Sequence, residues 1–310
     1  MTFYDGVHPF YPQARRKWAF SVDNIIVIIV FLVFLCAFIL IIPGIRGRAR
    51  ISWAFRVIIS LFIGAVTVVV NFTSDWEVGS VNATTNYKSF STAMINAEIG
   101  VHIGLNGVNI TYTGTPVQQI NETIDYNEQF LWIFGSDYNT YYKDALMRGL
   151  PNPILYLAEK FNHYDPCGLH DQYRISGHYA SVCMWVAFCS WIICNILFSL
   201  TVFIYGAYMI LVTAAFILLS LISFSTVRNA GFCNIRLGSE PLNIYYGGSF
   251  WLSLATGLLC LLIGITIIIL NWKVPGKLKS FFNTIEEDED EPSVQLYEAH
   301  GYTNEGCDAV

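Results

Sequence analysis

Residues 97–112 read Ala97-Glu-Ile-Gly-Val-His-Ile-Gly-Leu105-Asn-Gly-Val-Asn-Ile-Thr-Tyr112. Apolar side chains fall at Ile99, Val101, Ile103 and Leu105, and again at Val108, Ile110 and Tyr112. A period of two, with small or polar residues between, is the mark of a half-buried strand. Asn106-Gly107 suits the positive-φ pair of a type I′ turn, so the stretch predicts a β-hairpin. A lone hairpin is marginal in water and demands partner strands; residues 78–90 offer one or two. Farther on, residues 125–134, 137–150 and 153–161 read as helices. Residues 71–177 are therefore expected to form a small, β-rich α+β domain.

On either side of this domain the chain turns apolar. Ile25–Ile42, Ile51–Val70, His178–Phe203, Tyr208–Phe224 and Phe250–Leu270 are each long enough to cross a bilayer. The chain has 310 residues, of which 54% are hydrophobic and 13% charged, against about 25% charged in soluble domains. The fold class expected is a polytopic α-helical membrane protein with five transmembrane helices. The third and fourth spans are expected to join through a short loop at 204–207, around Tyr205-Gly206. Met1 to Phe20 does not read as a signal peptide, because the apolar run after it is too long and lacks a small-residue cleavage site. Arg56 lies in the second span near its arginine-rich end, where its side chain can snorkel to the headgroups. The net charge of −6 comes largely from the acidic run Glu286–Glu291, expected to be a solvated tail. No basic patch with interleaved aromatics calls for nucleic acid.

Direction across the membrane follows from four glycosylation sequons within 53 residues: Asn71-Phe-Thr, Asn82-Ala-Thr, Asn109-Ile-Thr and Asn121-Glu-Thr. Sugar is added to such sites only on the lumenal side. Residues 71–177, the N-terminal segment 1–24 and the loop 225–249 are then extracellular, and the loop 43–50 and the tail 271–310 cytosolic. Counting Lys and Arg in these short segments gives six inside and five outside, so the positive-inside rule does not decide. Asn82, Asn109 and Asn121 are expected to carry glycans. Asn71 sits one residue beyond the second span, within the reach of the membrane, and is expected to be bare.

Catalytic chemistry is hard to find in the residues. His8, His102, His163, His170, His178 and His300 all avoid the middle of a span, so the bundle offers no axial haem ligands. No Asp or Glu lies within a span to relay protons. Asn195, mid-span in the third helix, is expected to bond a neighbouring helix. There is no phosphate loop, dinucleotide fingerprint or nucleophile motif. His163, Cys167 and His170 share a loop without a fourth ligand at a usual zinc spacing, so no metal site is expected. Five cysteines, Cys36, Cys183, Cys189, Cys194 and Cys260, lie in spans as packing residues, and Cys307 lies in the tail. Cys167 and Cys233 are the two that face the oxidising side. They are expected to form a disulfide with each other or with a partner's cysteines. An internal bond would close a loop of about 66 residues, worth roughly 4 kcal/mol in the chain-entropy model.

Several longer stretches carry a resemblance. Ile42-Pro-Gly-Ile-Arg-Gly47, Ser60-Leu-Phe-Ile-Gly-Ala65, residues 107–130, residues 149–161, Cys167-Gly-Leu169 and Gly177-His-Tyr-Ala-Ser181 resemble the dual oxidase maturation factors, over residues 1 to 285 or so. The acidic tail is not matched. The resemblance implies a non-enzymatic partner of dual oxidase, the membrane NADPH oxidase that makes hydrogen peroxide. Such a partner pairs with the oxidase in the endoplasmic reticulum, brings it to the plasma membrane and stays as a subunit. Haem, FAD, NADPH and calcium are then expected on the oxidase and no cofactor on this chain. The resemblance also implies a claudin-like arrangement of four helices, with Ile25–Ile42 as an extra N-terminal helix. No cysteine occurs between Asn71 and Pro166, so the claudin loop disulfide is absent and the likeness concerns fold alone. Two other readings are an adhesion or barrier protein of claudin type, which would assemble with itself, and a transporter, which would want polar groups at the midplane.

Overall fold

Among the described residues, five helices are long and apolar enough to cross a membrane: α1 (Val22–Ile41), α2 (Ala49–Phe72), α5 (Leu169–Ser199), α6 (Phe203–Ser225) and α7 (Gly248–Lys273). They fit a polytopic membrane protein. The fold is seen in a computed structural model that describes residues 22–42, 49–88, 92–133, 135, 137–163, 166, 168–200, 202–229, 235–238 and 240–273. The acidic run and the cysteines Cys167, Cys233 and Cys307 lie outside these residues. So do Arg46 and Arg48.

Helices α2, α5, α6 and α7 close a ring, each packing on two others, and α1 lies outside it against α2. The α2–α5 seam depends on a missing side chain. A Cβ on Gly64 would stand 2.5 Å from the Trp191 ring, and with none there the Trp191 indole reaches the Ser60 carbonyl at 2.9 Å. One turn away, Ser60 Oγ donates to Asn195 Oδ1 at 2.5 Å. Asn195 therefore bonds a neighbouring helix, as its place in an apolar span required. At the ends of α7, Trp251 and Trp272 are both exposed. They are separated by about 32 Å along the helix at 1.5 Å per residue. That matches a hydrocarbon core of roughly 30 Å bounded by amphipathic aromatic rings.

Helix α5 is longer than a span requires. Its first ten residues, Leu169–His178, precede the exposed Tyr179, and among them Leu169, His170, Tyr173, Ser176 and Gly177 are buried, with His170 against Tyr138 of the head domain, Tyr173 on Glu77 and Gly177 against Leu105. The same helix that crosses the membrane thus rises about 15 Å into the head domain. The α5–α6 connection differs from the expected loop at 204–207. Tyr205 and Gly206 lie inside α6, which begins at Phe203, while α5 ends at Ser199. Gly206 reads as a turn residue, but there it makes room for the ring of Phe198, 2.7 Å from where a Cβ would be.

The head domain is built on an antiparallel sheet of order β4-β3-β2-β1-β7. Its strands are β1 (Glu77–Asn86), β2 (Met94–Ile103), β3 (Gly107–Gln119), β4 (Glu122–Leu131) and β7 (Ile244–Tyr246). A small separate hairpin pairs β5 (Arg236–Leu237) with β6 (Glu240–Pro241). The predicted β2–β3 hairpin is present, with Ile99 opposite Tyr112, Val101 opposite Ile110 and Ile103 opposite Val108. All six side chains are buried.

Two local expectations fail. The β2–β3 loop is not a type I′ turn: it spans residues 104–106, neither Asn106 nor Gly107 has a positive φ, and Gly104 N donates to Gly107 O at 2.9 Å. The positive-φ pair falls instead at Ile120 (55°) and Asn121 (58°), between the paired Gln119 and Glu122. Asn106-Gly107 serves the seam with the helices, where Asn106 donates to the α2 terminus. Residues 125–134 were expected to be helical, yet 125–131 belong to β4. The alternation is real, with Ile124, Tyr126 and Phe130 facing the core. Its fourth inward residue is the charged Glu128, matched by Arg148 Nη1 at 3.0 Å, and that charge hides the period. Helices α3 (Tyr138–Met147) and α4 (Asn152–Lys160) form where expected and cover the apolar face of the sheet. Asp137 caps α3, its side chain accepting from Asn139 N.

Candidate functional site

The head domain meets the helices around one carboxylate. Glu77 opens β1 just after α2 ends, and only 1% of it is exposed. An unpaired charge at such a depth costs several kcal/mol, and the neighbouring elements supply its partners. Tyr173 Oη, from the raised end of α5, donates to Glu77 Oε2 at 2.6 Å. Arg228 Nε, in the short 3-10 turn Thr226–Asn229 after α6, donates to Glu77 Oε1 at 2.9 Å. Arg228 Nη2 donates to the Ile244 carbonyl of β7 at 3.1 Å. The guanidinium lies 3.8 Å from the centre of the Tyr246 ring, which stacks on Phe250 of α7. Burial, and then the nearby Glu77 charge, push the Tyr173 phenol well above its ordinary range, so it stays a donor. One buried ion pair therefore binds β1, β7, α5 and the ends of α6 and α7 together.

A second seam lies beside it. A Cβ on Gly177 would stand 2.5 Å from the backbone oxygen of Leu105. The Trp132 indole donates to that same oxygen at 3.0 Å. Asn71, in the last turn of α2, is 2% exposed; its Oδ1 accepts from Ser181 Oγ at 2.8 Å and its carbonyl from Asn106 Nδ2 at 3.3 Å. The stretch 177–181 that carried the family resemblance is thus the joint between α5 and the sheet.

Above the seam a cleft of about 160 Å³ is lined by Trp132, Asp137, Tyr138, Asn139, His163, His170 and Arg174. His170 is 5% exposed and its Nδ1 lies 3.0 Å from the Phe161 carbonyl, which fixes Nδ1 as the protonated nitrogen. His163 pairs with Asp171 at 3.0 Å. Among the described residues no group of three or more His, Cys, Asp or Glu side chains is arranged to hold a metal ion. No nucleophile and base are brought together in the cleft.

The opposite face of the sheet is polar. Ser80, Asn82, Glu98, His102, Asn109, Thr111, Thr113, Asp125, Asn127 and Gln129 share it through their cross-strand register. Asn82 is exposed, Asn109 half-buried between His102 and Gln129, and Asn121 exposed at the tip of the β3–β4 hairpin. The three sequon asparagines expected to carry sugar therefore all lie on this face or its rim, and Asn71 alone is sealed inside. The sequence reading did not single out Glu77, Tyr173 or Arg228. A lone Glu between Trp76 and Val78 is the one local signal that the sequence offers for this joint.

Comparison with known proteins comes to one family. The model of the dual oxidase maturation factors matches residues 10–286, stopping where the acidic run begins. Dual oxidase maturation factor 1 of Xenopus laevis is 53% identical over 284 residues, covering 92% of each chain. Dual oxidase maturation factor 2 of Mus musculus is 51% identical, over 93% of this chain and 90% of its own. The Homo sapiens factor 2 is 48% identical over the same shares.

Proposed function

The chain belongs to the dual oxidase maturation factor family, and from that premise we propose that it is a non-enzymatic companion of dual oxidase. It joins the oxidase in the endoplasmic reticulum, is needed for its exit and surface delivery, and remains as a subunit while the oxidase makes hydrogen peroxide. The observation that carries this is the match along residues 10–286, which takes in every helix and strand described. A bundle held together by Ser, Asn and Trp contacts supports it. Haem, FAD, NADPH and calcium belong to the oxidase in this reading, and this chain needs none of them. Tagged protein drawn from mild detergent should bring dual oxidase with it. Recovery of copies of this chain alone would favour the claudin-type adhesion reading instead.

The head domain faces outward, with the N-terminus outside and the C-terminus cytosolic. The ring of four helices beneath an antiparallel sheet supports a claudin-like arrangement with α1 added. Asn82, Asn109 and Asn121 carry the glycans, on the polar face. Enzymatic removal should take up to three sugars, one at each of these sites. Asn71→Gln should leave gel mobility unchanged, because the side chain is sealed in the seam; a mobility shift would overturn that assignment. Cys167 and Cys233 form a disulfide with each other or with the oxidase. Non-reducing gels of the co-purified complex separate these: a band at the summed mass, lost on reduction, means the bond is to the partner. Free thiols at both positions would refute either arrangement.

A further inference from the structure

The geometry points to a pH-sensitive joint in the head domain: neutral His170 holds α3, α4 and the raised end of α5 together, and its protonation loosens that corner. His170 stands in the first turn of α5, just after the cap residue Gly168. It is wedged between the rings of Trp132 and Tyr138, at 6.3 and 5.1 Å, with the Phe161 carbonyl on Nδ1. Its Nε2 has no hydrogen-bond partner among the described residues.

Each charge among the described residues around His170 bears on the protonated form. On α5 itself, Arg174 lies one turn on and Asp171 is next in sequence. Asp171 is engaged with His163, whose ring is 6.1 Å from that of His170. From α3, Tyr138 directs its hydroxyl to the Ala158 carbonyl, and Asp137 is committed to capping the helix. From just beyond β4 comes the Trp132 ring, and from just beyond α4 the Phe161 carbonyl. A proton on Nε2 would find no protein acceptor among the described residues and could be met only by water in the cleft, while the added charge would sit at the positive end of a helix dipole and beside Arg174. Burial is the largest influence and lowers the His170 pKa; Arg174 and His163 add to it, opposed by the Phe161 carbonyl and Asp171. A base whose folded pKa is depressed gives stability that is present above the unfolded value of about 6.5 and lost as pH falls below it.

The size of the effect follows. With the folded pKa depressed, moving from about pH 7.4 to about pH 5.5 raises the opening equilibrium, by at most roughly ten, the limit reached when His170 stays neutral in the closed corner. The proposed route through the secretory pathway would carry the head domain into such acidity. The joint itself is tested on the purified full chain in detergent, so its failure leaves the family role untouched.

Amide hydrogen exchange, corrected for intrinsic rates, should show α3 and α4 opening more at the lower pH, by up to about tenfold, with β2 and β3 unchanged. His170→Gln keeps a donor for Phe161 but cannot titrate, and should make the corner insensitive to pH. An equal rise in His170→Gln, or no rise in the wild-type protein, would overturn the proposal. Should the variant fail to fold, the imidazole of His170 can be titrated by NMR in the wild-type chain. A midpoint below about 6.5 is expected, and one at or above that ordinary value would equally overturn it.

Discussion

Arg228→Met is expected to lower the stability of the head domain by about 3–5 kcal/mol, the cost of stranding a buried carboxylate. Glu77 is 1% exposed and takes both its hydrogen bonds from side chains, Arg228 and Tyr173. Methionine fills much of the space but leaves Oε1 without a donor. It also frees the Ile244 carbonyl and removes the cation from the Tyr246 face. The loss reaches both β1 and β7 where they meet the end of α6, so cooperative melting should suffer more than one missing contact suggests. Thermal unfolding in detergent, followed by near-ultraviolet dichroism, reads it directly, because Trp76 packs on Phe224 and Phe250 beside the joint. The double variant Glu77→Gln with Arg228→Met should recover part of the loss, since a neutral amide still accepts from Tyr173. A single variant that melts with the wild type would show that the ion pair contributes nothing.

Gly177→Val should be nearly as damaging, at about 3 kcal/mol from overpacking and a lost buried hydrogen bond. Its Cβ would lie 2.5 Å from the Leu105 oxygen, which is backbone and has no rotamer to turn to. That oxygen cannot retreat freely, because it also accepts the Trp132 indole. Either α5 moves away from the sheet or Trp132 loses its partner. The same melting experiment applies, and a visible shift in Trp132 fluorescence should accompany it. An unchanged melting temperature would mean that the seam is looser than described.

Much of this was legible in the residues because it rests on periodicity. The alternation at Ile99, Val101, Ile103, Val108, Ile110 and Tyr112 is followed by the sheet core. The apolar runs mark the five long helices. Turn chemistry was less readable. Asn106-Gly107 has the composition of a tight hairpin turn but is used to reach α2, and the true positive-φ pair holds Ile120, which no turn preference would select. The strand β4 was obscured because its inward Glu128 is neutralised by Arg148, twenty residues on. The Glu77–Arg228 lock joins residues 151 apart, and no local pattern encodes such a pairing. His170 was weighed only as a metal ligand, since its burial comes from β4, α3 and α4 converging on the first turn of α5.

The proposed role, delivery of dual oxidase to the surface in working form, is open to direct test. The most direct measurement is surface labelling of dual oxidase, with extracellular hydrogen peroxide recorded on the same cells, in a line that lacks both proteins. Expressed alone, this chain should give no peroxide, and the oxidase alone should stay inside. Expressed together, the oxidase should appear at the surface and peroxide should rise with it. Equal surface oxidase and equal peroxide with and without this chain would contradict the account.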